Sequence, residues 1–215
     1  MKRLLRDNGL SFVLIGLFLG TYLGGQVFSG WKAHNEELVQ AREPPLTWRE
    51  YLTSAHFIEA TTENWESEFL QMFLYVFITA FLFQRGSAES NDPDEPEEKR
   101  PVTKASPWPV RKGGWVRALY NHSLSLAFAV LFLASFWTHA VSSARLENEE
   151  RARQGKPAVT FAEHIAGAKF WFESFQNWQS EFLAIGSMVI LSIFLREKGS
   201  PESKAVEAPH VETGG

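Results

Sequence analysis

The chain has 215 residues, a net charge of −4 and no cysteine. Disulfides and thiolate chemistry are excluded, and the acidic balance offers no basic surface for nucleic acid. Hydrophobic residues make up 45% of the chain, an ordinary share with an uneven distribution. They collect in four runs, 10–28, 69–83, 124–141 and 182–195, none of which holds Lys, Arg, Asp or Glu.

The first run is long enough to cross a bilayer, which takes roughly 17–25 apolar residues. It follows Lys2, Arg3 and Arg6, as a signal peptide would. It exceeds the roughly 7–15 apolar residues of a signal core, and its counterpart at 124–141 is internal, so we read it as a retained span. Gly16, Gly20 and Gly24 give it a small-residue face for close helix packing, within the chain, in a homo-oligomer or with a membrane protein partner.

Trp31–Arg42 then extends this helix into water, and Pro44 stops it. Thr47-Trp48-Arg49-Glu50 is a capping box, in which Thr accepts from the backbone three residues on and Glu reaches back. A helix is therefore expected from near Trp48, carrying Phe57 toward the bilayer interface.

The heptapeptide Asn64-Trp65-Glu66-Ser67-Glu68-Phe69-Leu70 comes next and returns as Asn177-Trp178-Gln179-Ser180-Glu181-Phe182-Leu183. Each copy precedes one of the shorter apolar runs. Residues 44–90 align without gaps to 157–203, and 10–29 aligns to 124–143 with one further residue of offset. Extended back to Trp65 and Trp178, both short runs reach spanning length. These two tryptophans are expected to anchor at the lipid headgroups. Gly86 and Gly199 stand where a helix C-terminal glycine belongs.

The stretch 86–114 is rich in proline and carries the acidic run Asp92–Glu98. Such a composition cannot bury a core, and we expect a disordered linker. The second half repeats the plan: a long apolar run, the extension Arg145–Gln154, Pro157, the capping box Thr160-Phe161-Ala162-Glu163, and a helix carrying Phe170 and Trp171. Residues 200–215 read as a disordered tail.

The fold expected is an all-α membrane protein, with four transmembrane helices in two parallel helical-hairpin repeats and capped external helices. Its parts are a first repeat at 1–85, the linker at 86–114, a second repeat at 115–199 and the tail at 200–215. Lys and Arg concentrate in the N-terminal tail, the middle segment and the C-terminal tail. By the positive-inside rule this is a multi-pass cell-membrane protein with both termini cytoplasmic.

Asn64 and Glu68 share a helix face that continues through Gln71 and Tyr75. The second copy carries Asn177 and Glu181, and Ser67 and Ser180 are shared between the copies. Capping and dipole effects give these residues a structural role. The alternative is a polar site in which Glu68 and Glu181 approach each other, as proton or cation capture would need. His139, near the outer end of the third run, is an interhelical contact or a further member of that site. His34 with Glu37, and His56 with Glu59, have the helical spacing of metal ligands. A zinc site needs three or four coherent ligands, and neither pair recurs in the other half, so no metal and no cofactor are expected.

The doubled NWxSEFL, the segment PPLTWREYLTS and the end FLFQRGSAES resemble an uncharacterised bacterial integral membrane protein family, domain of unknown function 6766. The resemblance implies a bacterial envelope setting and carries no activity. No nucleophile–base set or phosphate-binding loop is visible, so no enzyme is expected. The sequence points to a structural or partner-binding membrane protein, with a small transporter or channel using Glu68 and Glu181 as the alternative.

Overall fold

A computed structural model of the chain describes residues 2–95 and 100–214. Part of the linker's acidic run, with Lys99, lies outside the described residues. Among those described the fold is all-helical, with no strand. The helices are α1 (Lys2–Thr21), α2 (Gly30–Gln40), α3 (Trp48–Leu52), α4 (Ala55–Ile78), α5 (Trp108–Lys112), α6 (Gly114–Asn121), α7 (Ser123–Arg153), α8 (Phe161–Ala166) and α9 (Ala168–Phe194). A π-helical stretch, Tyr22–Ser29, joins α1 to α2.

That stretch explains the change of offset between the halves. The first half has one residue more than the second between its apolar run and its external segment. A π-turn closes on the fifth residue back and so absorbs one extra residue without breaking the helix. Ser29 marks it by donating its hydroxyl to the Gly24 carbonyl at 2.9 Å. The second half, without the extra residue, runs as one unbroken helix, α7.

Among the described residues two helices, not four, are long and apolar enough to cross a bilayer by length and composition. These are Arg3–Gln40, 38 residues with a mean hydropathy of 1.6 in its most apolar stretch, and Ser123–Arg153, 31 residues with 1.8. α4 and α9 are long, but α4 carries Glu59, Glu63, Glu66 and Glu68 in its first 14 residues, and α9 carries Lys169, Glu173 and Glu181 in its first 14. These charges, with polar neighbours such as Asn64, Asn177 and Gln179, keep any comparable stretch of either helix less apolar than those two.

The expected capped helices also differ in extent. Both capping boxes form: Thr47 accepts from Glu50 and Thr160 from Glu163, and each Glu carboxylate accepts from its Thr backbone at 2.7 Å. Each helix then stops within two turns. α3 ends at Leu52, and Ser54 restarts the chain by accepting from the Phe57 amide at 3.2 Å. α8 ends at Gly167, whose backbone is extended. Gly86 and Gly199 take positive φ, 83° and 87°, but lie in turns well past the helix ends at Ile78 and Phe194.

The chain divides into two compact units. Residues 1–63 and 137–170 form one, built around Leu38, Tyr51, Phe57, Ala140, Ala144 and Phe170. Within it, positions separated by 113 residues do the same work. Asn35 donates to the Leu46 carbonyl and accepts from the Leu46 amide, at 3.0 and 2.7 Å. Asn148 clasps Val159 in the same way, at 3.0 and 2.8 Å. Both helices entering these loops end with a left-handed residue, Arg42 at φ 63° and Gly155 at φ 66°. The following amides then reach back to Leu38 and Arg151 at 2.8 Å, the Schellman pattern. Arg153 joins the two loops through an ion pair to Glu43 at 2.9 Å.

Residues 64–136 and 171–215 form the other unit. Its interior holds Leu70, Glu66, Ser67, Gln71, Ser87 and Ser192. Ser87 and Ser192 hydroxyls lie 2.9 Å apart. Of the tail read from composition as disordered (200–215), the described residues 200–214 form turns organised around the buried Lys204. Its ammonium donates to the carbonyls of Gly86, Pro209, His210 and Glu212 at 2.5–3.3 Å.

Candidate functional site

The polar residues of the two heptapeptides fall in the second unit, where they mostly meet the fold's own groups. Ser67 donates to the Asn64 carbonyl at 2.9 Å, and Ser180 to that of Asn177 at 2.7 Å. Gln71 donates to the Glu181 backbone carbonyl at 3.1 Å. Tyr75 hydrogen-bonds the Glu89 carboxylate. Ser67 also meets the Glu181 side chain, and the Glu68 carboxylate acts on it through space. Glu68 itself is exposed.

The fully buried carboxylate of the first heptapeptide is Glu66, two residues from both Asn64 and Glu68 and so about 160° round the helix from the expected face. It accepts from the indole N–H of Trp178 at 3.1 Å. Trp178, expected as an interface anchor, therefore points one polar edge into the unit and packs edge-on to Phe175 and Phe132. Trp65 is exposed.

The first unit brings together groups that the sequence left apart. α2 supplies His34 and Glu37, and α4 supplies His56. One ligand atom of each lies within 4.8 Å of the others. The two imidazoles stack, with ring centres 4.2 Å apart and planes at 23°. His34 is buried, and the Nδ1 of each ring has no hydrogen-bond partner. Glu37 stands 3.6 Å from His34 Nδ1, beyond hydrogen-bond length, with its side chain open to solvent. Burial and the neighbouring His34 push the His56 imidazole below its ordinary pKa, against an opposing pull from Glu37.

The positions 113 residues on hold Glu147, Glu150 and Lys169. Lys169 donates to Glu150 at 3.3 Å. Glu147 pairs with the buried His164 at 2.6 Å and with Arg151 at 3.5 Å. The His164 hydrogen bond, outweighing the cost of burial and aided by Arg151 and Lys169, holds the Glu147 carboxyl below its usual value. A second three-residue cluster, Glu59 and Glu63 on α4 with the fully buried His139 on α7, also has its ligand atoms within 4.8 Å. His139 packs against Phe170, ring centres 5.2 Å apart.

The spacing of His34 to Glu37 is visible in sequence, but the third ligand arrives from another helix, so the trio was not. The Asn35 and Asn148 clasps were also missed, although the constant offset that relates Asn35 to Asn148 and Leu46 to Val159 was a usable signal.

The chain matches the family described as Domain of unknown function (DUF6766) over residues 1–215 and belongs to it. No curated protein and no solved structure matches it.

Proposed function

We propose that this is an integral membrane protein of a bacterial envelope, built by duplication as two parallel helical hairpins with four crossings. Its role is structural or partner-binding rather than catalytic. The observation that carries the membrane reading is the helix Arg3–Gln40. Its most apolar 18-residue stretch has none of its residues buried by the rest of the chain. At 1.5 Å per residue that stretch is about 27 Å long, close to the roughly 30 Å hydrocarbon thickness of a bilayer. Lipid, or another helix within lipid, is the natural cover for it. An added Cβ at Gly16, Gly20 or Gly24 would meet nothing of this chain, which leaves that face open to a membrane partner.

The apolar C-terminal parts of α4 and α9, extended back to Trp65 and Trp178, supply the remaining two crossings, and the clasped, capped loops form an external platform. The transport alternative is less well supported, because Ser67, Gln71 and Tyr75 are engaged by groups of their own unit.

The absence of native cysteine makes the test clean. Single cysteines at Ala41, Ala158 and Ala105 are treated in intact cells with a membrane-impermeant maleimide. Labelling at 41 and 158 but not at 105, with the protein retained in membranes through an alkaline carbonate wash, supports the reading. Release by carbonate removes it. Proton or cation flux in liposomes, abolished by Glu68→Gln with Glu181→Gln, would favour the transporter instead.

A further inference from the structure

We propose that His34, Glu37 and His56 form a binding site for one divalent transition-metal ion. The site does not depend on how many helices cross the membrane.

The comparison with the positions 113 residues on carries the argument. There the cation is built in: Lys169 places its ammonium 3.3 Å from Glu150. At the first position the lysine is His56, Glu150 is Glu37, and Glu147 is His34. Two carboxylates and an ammonium have become two imidazoles and one carboxylate. The carboxylate is kept and the covalent cation is gone. Two imidazoles and a carboxylate are the donor set of zinc and non-haem ferrous sites with an open coordination position.

The second observation is the state of the imidazoles. His34 is 94% buried (6% exposed), yet its Nδ1 has no hydrogen-bond partner, and neither has His56 Nδ1. Buried polar groups are normally satisfied. The unsatisfied atoms here are metal-binding atoms, and they belong to a trio whose ligand atoms lie within 4.8 Å of one another. Zinc–nitrogen bonds are about 2.0–2.1 Å long, so binding draws the three ligand atoms together and turns the stacked rings to aim at the shared ion. Glu37, with 70% of its side chain exposed, gives the ion a way in from solvent.

The Glu59, Glu63 and His139 cluster lacks the support of the comparison 113 residues on. Its glutamates correspond to Phe172 and Gln176, so no paired cation site accompanies it.

The test uses the full chain without a polyhistidine tag, purified in detergent and titrated with Co2+. Visible absorption and metal content after gel filtration are the readouts. His56→Lys restores the residue type found at position 169, so it removes a ligand while providing the cation the fold accepts elsewhere. His34→Gln removes a ligand from the neighbouring helix, and Glu63→Gln is the control in the other cluster. Expected are one Co2+ per chain, displaced by Zn2+, and affinity falling at least about 100-fold in His56→Lys and His34→Gln. Glu63→Gln should bind as the parent does, and the melting curve of His56→Lys should match the parent's. The proposal is overturned if the parent binds no Co2+, if a folded His56→Lys binds as tightly as the parent, or if binding is lost in Glu63→Gln instead.

Discussion

The indole N–H of Trp178 donates to Glu66 across 3.1 Å, and Glu66 is fully buried. Each residue belongs to a copy of the same heptapeptide, yet they occupy different places in it. The position matching Glu66 is Gln179, which is exposed. The bond therefore uses a difference between the copies rather than their identity. Trp178→Phe keeps most of the ring packing and removes the donor. Hydrogen bonds to charged groups contribute roughly 1.5–3 kcal/mol, so a loss of about 2 kcal/mol is expected in detergent unfolding followed by circular dichroism. Glu66→Gln keeps an acceptor and should lose less. A Trp178→Phe protein that unfolds with the parent would show that the bond is incidental.

The Asn35 and Asn148 clasps each hold a loop by two hydrogen bonds to one residue. Replacing either Asn by Ala removes both bonds at once; the Val159 N–H and C=O are then both freed, whereas the Leu46 carbonyl still accepts from the Trp31 indole N–H at 2.8 Å. With a net ~1 kcal/mol per hydrogen bond, each substitution should cost about 2 kcal/mol. Hydrogen exchange at the Leu46 or Val159 amide should accelerate only in the loop whose clasp is cut. Equal acceleration in both loops would mean that the Arg153–Glu43 pair makes them a single opening unit.

These clasps show what was legible in the chain and what was not. Capping boxes are local, since Thr47 and Glu50 stand three residues apart, and they form as read. The break after Leu52 was not legible, because a serine such as Ser54, though favoured as a cap, also occurs inside helices with its hydroxyl bonded back to the preceding turn. The trio of His34, Glu37 and His56 spans two helices, and spacing along one helix says nothing about a neighbour's rotation. Glu66 was overlooked because the recurring Asn64 and Glu68 pointed to the opposite side of the same helix. The short apolar runs suggested four spans, but charge in the N-terminal parts of α4 and α9 leaves two helices that pass on composition.

Acid should weaken the first unit. The Glu147 carboxyl is held below its ordinary 4.5 by the hydrogen bond from His164. Glu50 and Glu163 are lowered by their hydrogen bonds to Thr47 and Thr160. A depressed carboxyl stabilises the fold fully above its unfolded pKa and loses that contribution as pH falls through the folded value. The melting temperature should hold from pH 7 to about 5.5 and fall below 4.5. Glu147→Gln combined with Glu50→Gln and Glu163→Gln should lower it at pH 7 and flatten the fall. An undiminished fall in the triple variant would place the acid sensitivity elsewhere.

Arg42 and Gly155 occupy the same left-handed position at two helix ends. A side chain in that conformation costs roughly 1–2 kcal/mol, while glycine gives back about 0.5–1 through the freedom of its unfolded chain. Arg42→Gly should therefore stabilise by about 0.5 kcal/mol, and Gly155→Ala should destabilise by a similar amount. Thermal unfolding of the two single variants, with opposite signs, is the check. A destabilised Arg42→Gly would reveal a contact of the Arg42 side chain that outweighs its backbone strain.

Gly30 follows the π-helical stretch directly, and a Cβ there would run into the Tyr51 hydroxyl. Tyr51 is almost fully buried, and its hydroxyl donates to the Gln26 carbonyl at 3.3 Å, inside that stretch. Two effects oppose each other in Gly30→Ala. Helix propensity favours alanine by about 0.8–1 kcal/mol, and overpacking costs about 1–3 kcal/mol. The clash should win, giving a net loss of about 1 kcal/mol. Tyr51→Phe alone gives up one long hydrogen bond, roughly 0.5–1 kcal/mol. In the double variant the clash is relieved and the propensity gain remains, so Gly30→Ala should become stabilising in the Tyr51→Phe background. That change of sign in a double-mutant cycle is the diagnostic. If Gly30→Ala costs the same in both backgrounds, the glycine serves the π-turn's own backbone, and the room it leaves for Tyr51 is a by-product.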